Sequence, residues 1–130
     1  MRYFIHLAYN GTRFNGWQRQ PNAIGVQQVI EDTFSMVLRS EITLTGCGRT
    51  DTGVHASSYF AHFDFEGDFP PQFLRRINKI LSADIVIFSI IPVDPDAHAR
   101  FDAVKRSYVY RIGFVKDPFN QETVTYFPFA

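Results

Sequence analysis

The stretch Gly48-Arg49-Thr50-Asp51-Thr52-Gly53 sets one carboxylate and one guanidinium between two glycines. Glycines so placed permit positive φ and a close backbone approach to a ligand. Arg49 lies two residues from Asp51, so the two share a face in extended backbone, where a cation favours and orients the anionic form of a carboxylate. An oriented carboxylate is a potential nucleophile. By residue type alone, a turn aspartate that accepts backbone N–H bonds is the better account of Asp51. A phosphate-binding P-loop is excluded, because Gly53 is followed by Val54-His55 where that motif needs Lys and Ser or Thr. Ser57, His55 and Asp51 have the composition of a Ser-His-Asp set, but no nucleophile-elbow pattern accompanies them. His6, His55, His62 and His98 show no metal-ligand spacing with Cys47, and a structural role is expected of each.

The elements that must position these residues follow from hydrophobic periodicity. Residues 2–9 alternate through Tyr3, Ile5 and Leu7, with Phe4 and Ala8 opposite, and stop at the turn pair Asn10-Gly11. Residues 12–25 have no steady period and hold Gly16, Pro21 and Gly25, a long loop of the sort that often serves function. Trp17 within it is either a base-stacking platform or the packing of the loop itself. From Val26 the apolar residues Val26, Ile30, Phe34, Val37 and Leu38 recur at helical spacing, with Gln27, Glu31 and Ser35 falling elsewhere.

Alternation predicts strands over 41–47 and 59–65, joined by the Asp51 loop. Pro70-Pro71 then opens a helix carrying Phe73, Leu74, Ile77, Ile80 and Leu81. A β-branched run over 84–93 and an alternating run over 107–115 complete the order. The pattern is βαββαβ, an α+β ferredoxin-like sandwich with helices on one face of an antiparallel sheet. Its other face is expected to be open, or covered by something else.

A chain of 130 residues, 45% hydrophobic and 20% charged, suits one domain with one core. Arg2-Tyr3-Phe4-Ile5-His6 breaks any apolar signal region, and no apolar run approaches membrane-spanning length. The lone Cys47 fits a reducing compartment and strand packing rather than a disulfide framework. A soluble, cytoplasmic protein without a membrane partner is expected. Lys plus Arg and Asp plus Glu both total 13, so any surface for a polyanion must be local. The 14 Phe and 6 Tyr supply a β-rich core, stacking platforms for bases, or both, the core taking most of them. Val124 to Phe129 is apolar and aromatic and reaches Ala130 without a polar tail, as in a segment cut from a longer chain. Residues 1–115 are read as one subdomain, and 116–130 as the start of a connection.

Gly48-Arg49-Thr50-Asp51-Thr52-Gly53-Val54-His55-Ala56 resembles the active-site motif of the tRNA pseudouridine synthase A family. Further segments match in the family's order: Tyr9-Asn10-Gly11-Thr12 with Gly16-Trp17-Gln18-Arg19-Gln20, then His98-Ala99-Arg100-Phe101-Asp102-Ala103, then Arg106-Ser107-Tyr108-Val109-Tyr110. The resemblance covers nearly the whole chain but only the N-terminal half of a family member. It implies isomerisation of uridine to pseudouridine in the tRNA anticodon stem-loop without cofactor or metal. Asp51 would be the nucleophile, attacking base or ribose. Tyr108 would stack on the target base, and Arg49 would anchor Asp51 or meet a phosphate.

Arg13, Arg19 and Arg106, with Arg75, Arg76, Lys79 and Lys105, are the candidates for contacts to the RNA backbone. The resemblance further implies a second half that closes the pocket, and homodimers of the full-length protein. The alternative is a non-catalytic RNA-binding module, since ferredoxin-like sheets with exposed aromatics also bind RNA. Against it, no aromatic ribonucleoprotein signature falls on a central strand.

Overall fold

The computed structural model describes residues 1–100 and the backbone of two short segments beyond them, Ile112–Gly113 and Thr125–Tyr126. Four strands, β1 (Arg2–Tyr9), β2 (Thr45–Gly46), β3 (Ala56–Asp64) and β4 (Ile85–Val93), form one sheet in the order β2-β3-β1-β4. Every neighbour is antiparallel. Helix α1 (Val26–Leu38) joins β1 to β2, and α2 (Phe73–Ile80) joins β3 to β4. Order and connections are those of the expected ferredoxin-like βαββαβ sandwich. The two later segments, β5 (Ile112–Gly113) and β6 (Thr125–Tyr126), pair in parallel, and the rest of the expected 107–115 strand lies outside the described residues.

The alternation of β1 sends Ile5, Leu7 and Tyr9 to the buried face, in register with Ala61 and Tyr59 of β3 and with Ile90, Ile87 and Ile85 of β4. The helices cover that face. Phe34 of α1 meets Phe63 of β3 edge-on at 5.5 Å and Phe73 of α2 at 5.2 Å, so one ring ties both helices to the sheet. Asn78 of α2 brackets the outer edge of β4, its amide donating to Ile87 O and its Oδ1 accepting from Ile87 N, both at 2.9 Å. Two backbone groups of an edge strand are thereby satisfied without a further strand.

The opposite face carries Phe4, His6 and Ala8 with Phe60, Val86, Phe88 and Ile91, of which Phe88 and Ile91 remain 49% exposed. His6 lies parallel to Phe60 at 4.5 Å, donates to or accepts from Ser58 Oγ, and touches Phe88 at 5.0 Å. One end of this face is covered, because Ala99 N–H donates to Nδ1 of the buried His62 and Arg2 Nη1 donates to Ala97 O. No helix among the described residues is long and apolar enough to cross a membrane.

Two elements are shorter than their patterns predict. The 41–47 segment pairs with β3 at Thr45 and Gly46 and through the Cys47 N–H bond to Phe60 O, but not at 41–44, although Ile42 and Leu44 are buried as alternation requires. Its backbone is satisfied by α1 instead: Ile42 N–H donates to Ser35 Oγ and Leu44 N–H to Glu31 Oε2, at 2.9 and 2.7 Å. α2 begins three residues after Pro70 because Gln72 holds a left-handed φ of 56°, which a right-handed helix cannot include.

Arg2 of β1 grips Asp64 of β3 through two nitrogens at 2.9 and 3.1 Å. The hydrogen bond from Arg2, reinforced by its charge, holds the Asp64 carboxyl below its ordinary range. A lowered native value means that this stabilisation is present at neutral pH and fades as pH falls through the carboxylate range. Urea unfolding should therefore show wild type more stable than Asp64→Asn at pH 7, the gap closing below about pH 4. A gap independent of pH would mean that the aspartate acts through packing alone.

Candidate active site

Asp51 stands in the connection from β2 to β3, and that connection is fastened at both ends. At the entry, Cys47 N–H donates to Phe60 O at 2.9 Å, and the Tyr59 hydroxyl donates to Gly48 O. At the exit, Val54 N–H closes on Asp51 O at 3.1 Å with Gly53 at φ 80°, the geometry of a type II turn whose third residue must tolerate positive φ. Asp51 is thus the first residue of a tight turn, with its backbone carbonyl spent and its side chain solvent-exposed.

The loop rests on the segment that follows β1. Tyr9 Oη lies 2.8 Å from Thr50 Oγ1, Gly53 N–H donates to Phe14 O at 3.2 Å, and Gly11 N–H donates to His55 Nδ1 at 2.9 Å. Two glycines make this closeness possible. A Cβ on Gly11 would sit 1.9 Å from Val54 O, and one on Gly16, where φ is 77°, would sit 2.2 Å from Thr50 O. Backbone therefore packs on backbone directly beneath Asp51, at distances no other residue type allows.

That supporting segment is itself locked. Asn15 N–H donates to Ile24 O, and Val26 and Gln27 N–H donate to Gly16 and Trp17 O, so residues 15–27 close into a compact Ω-like loop. Trp17 is 3% exposed and packs on Tyr59 at 4.4 Å and Tyr9 at 6.2 Å. Of its two expected roles, packing is the one it fills. Gly46 leaves the room, since a Cβ there would meet Tyr59 Oη at 2.1 Å and Trp17 Nε1 at 2.5 Å.

Arg19 donates to Glu31 at 2.8 Å and to Asp32 at 2.7 Å, and those bonds, Glu31 first, raise its already high pKa. Glu31 also accepts from Gln27 and from Leu44 N–H. Periodicity puts Glu31 outside the apolar stripe of α1, yet it is 5% exposed and joins α1, the loop and the approach to β2. No spacing in the sequence marks it, because the reason for its burial is a backbone N–H from a segment thirteen residues away.

Of the other candidate residues, Arg49 is exposed and shares no hydrogen bond or ion pair with Asp51. Arg13 pairs with Asp84 at 3.0 Å. Arg75, Arg76 and Lys79 lie exposed on α2. Tyr108, Lys105 and Arg106 lie outside the described residues. The structural role expected of the histidines fits His55 and His62, whose Nδ1 atoms accept backbone N–H bonds. No cluster of His, Cys, Asp or Glu suited to a metal ion occurs among the described residues.

No family model matches the chain. Individual relatives do. It is 50% identical to tRNA pseudouridine synthase A of Parabacteroides distasonis over 98% of this chain and 51% of that protein. Against the enzymes of the same name from Azobacteroides pseudotrichonymphae and Porphyromonas gingivalis it is 53% and 51% identical, over 93% and 91% of this chain. The chain belongs to the tRNA pseudouridine synthase A family. It spans about half the length of the curated relatives it matches.

Two of the segments that carry the resemblance to tRNA pseudouridine synthase A, residues 9–20 and 48–56, are one structural unit here, the first being the bed of the second. Two glycine substitutions separate the contributions to that unit. Gly11→Ala drives a Cβ into a backbone carbonyl and should cost about 2–3 kcal/mol, as overpacking does. Gly53→Ala meets open space and should cost only the strain of positive φ, about 1–2 kcal/mol. Urea denaturation of both variants measures the difference, and equal costs would show that the bed is pliable.

Proposed function

We propose that this chain is the nucleophile-bearing part of an enzyme that isomerises uridine to pseudouridine in tRNA, with Asp51 as the nucleophile. The observation that carries the reading is a solvent-facing carboxylate on a loop fixed by glycine-permitted backbone contacts, in a chain about half identical to enzymes of that name. The Asp51 carboxylate attacks the uridine, at base or ribose, and the N-glycosidic bond breaks. The freed uracil turns and rejoins the ribose through C5, the C5 proton is lost while N1 takes up a proton, and the carboxylate is released unchanged. No net oxidation occurs, so neither cofactor nor metal enters the balance.

To reach Asp51 the target base must leave its stack, at a cost of a few kcal/mol that a pocket repays by stacking and hydrogen bonds. Tyr108 is assigned the stacking role. Arg49, unpaired with Asp51 and exposed beside it, fits a phosphate contact better than an anchor for the carboxylate. Arg13 and Arg106 are assigned to the RNA backbone. Arg19, with its guanidinium already shared by Glu31 and Asp32, is better suited to holding the loop. The substrate is taken to be the anticodon stem-loop and the site of action the cytoplasm. Residues 1–115 form the unit that carries Asp51, and 116–130 lead to a second half that completes the pocket in a homodimeric full-length protein. The exposed Phe60 and Phe88 favour a second reading, a sheet that binds RNA by stacking without catalysis.

Tritium release from C5-labelled uridine in tRNA decides between the two. The full-length protein carrying this segment should release tritium, and its Asp51→Asn variant should fall by at least about 10³-fold, as loss of a covalent nucleophile does. Parental turnover in the variant rules out the nucleophile assignment, and tRNA binding without turnover in the parent selects the stacking module. Tyr108→Ala should lower kcat more than it weakens tRNA affinity. A loss of affinity alone would make Tyr108 a docking residue.

A further inference from the structure

We propose that Tyr9 is a positioning residue for Asp51, acting through Thr50. The proposal rests on the reading of Asp51 as the nucleophile. Tyr9 ends β1, the strand flanked by β3 and β4, and its ring is buried at 3% exposure against Trp17 and Tyr59. Strand pairing and ring packing thus fix the phenol before its hydroxyl is considered. That hydroxyl reaches out of the core to Thr50 Oγ1 at 2.8 Å, one residue before Asp51.

The far side of Asp51 is held by different means, the turn closed by Val54 N–H and the Gly11 N–H bond to His55. Gly16 lies against Thr50 O, so the backbone at 50–51 is contacted on that side as well. Among these restraints, the Tyr9–Thr50 pair is the one made by two side chains. It can be cut without touching the backbone or the packing: Tyr9→Phe removes one oxygen and keeps the ring, and Thr50→Val removes the partner hydroxyl at nearly constant volume.

A nucleophile displaced by about 1 Å can lose on the order of 10²-fold in rate while the substrate still binds. Tyr9→Phe and Thr50→Val, each in the full-length protein, should therefore lower kcat by about 10-fold or more and leave KM for tRNA within about 2-fold. Because both cut the same contact, the double variant should lose no more than the worse single. Thr50→Ser keeps a hydroxyl and should regain most of the turnover that Thr50→Val loses.

Asp51→Asn in the same assay separates this proposal from the one beneath it. If Asp51→Asn is inactive while Tyr9→Phe and Thr50→Val keep parental kcat, Asp51 stands and the positioning role falls. If the singles multiply in the double variant, or if Thr50→Ser is as impaired as Thr50→Val, the two hydroxyls do not act as a pair and the proposal fails. A lower melting temperature for Tyr9→Phe with kcat unchanged would reduce Tyr9 to a core residue, which also overturns it.

Discussion

Backbone-on-backbone contact beneath the β2–β3 loop is the constraint on which the rest of this molecule depends. At Gly11 and Gly16 the chain after β1 lies so close to Val54 O and Thr50 O that any side chain would push the two segments apart. Nothing longer than a hydrogen can stand there, so the loop cannot be held by interdigitating side chains of the usual kind. It is held by what surrounds the contact: two hydrogen bonds from backbone N–H groups, one hydroxyl pair, and a tight turn. Directional bonds between short groups tolerate little displacement. The loop is thereby tied to the segment after β1 by bonds that fix its path.

Stiffness at the loop requires stiffness in its bed, and Glu31 supplies part of it. Its carboxylate gathers Arg19, Gln27 and Leu44 N–H, so the Ω-like loop, α1 and the approach to β2 meet at one buried anion. A buried charge is costly unless paired and hydrogen-bonded, and this one is both. Its value lies in geometry more than in energy. Replacing the cluster with apolar side chains could retain stability, but it would leave Leu44 N–H without its acceptor and the 41–44 segment free to seek strand pairing. The shortness of β2 and the placement of the loop are consequences of the same carboxylate.

How much of this is legible in the sequence depends on the range of the cause. Ile5, Leu7 and Tyr9 announce their face by alternation, and Val26, Ile30 and Phe34 theirs by helical spacing, because burial follows period wherever one face meets the core. The boundaries that failed did so through partners distant in sequence: Ile42 and Leu44 give their N–H groups to Ser35 and Glu31, and Gln72 turns left-handed after a proline pair. The candidate site divides in the same way. Asp51 is visible because a glycine-bracketed motif surrounds it, and the motif outweighs a residue type that by itself favours an ordinary turn. Its supports are not visible. Tyr9 looks like any strand aromatic, Trp17 like a possible platform, and Arg49 like a partner for Asp51, with which it shares no hydrogen bond or ion pair.

A rigid, exposed carboxylate is half of what nucleophilic chemistry on a nucleobase needs. Charge developing in a transition state is stabilised far better by fixed dipoles in a water-poor pocket than in open solvent. Among the described residues Asp51 has a floor of backbone and no roof. Position is set by contacts within residues 9–56, whereas enclosure, on the proposed function, would come from other parts of the full-length chain or from the RNA. Separating the two makes physical sense for a large substrate. On the proposed function, a site closed in advance would have to open before a flipped base could enter, and the opening motion would disturb the contacts that hold Asp51. With the backbone beneath Asp51 held by the glycine bed, closure can be left to whatever covers the site without resetting the position of the carboxylate.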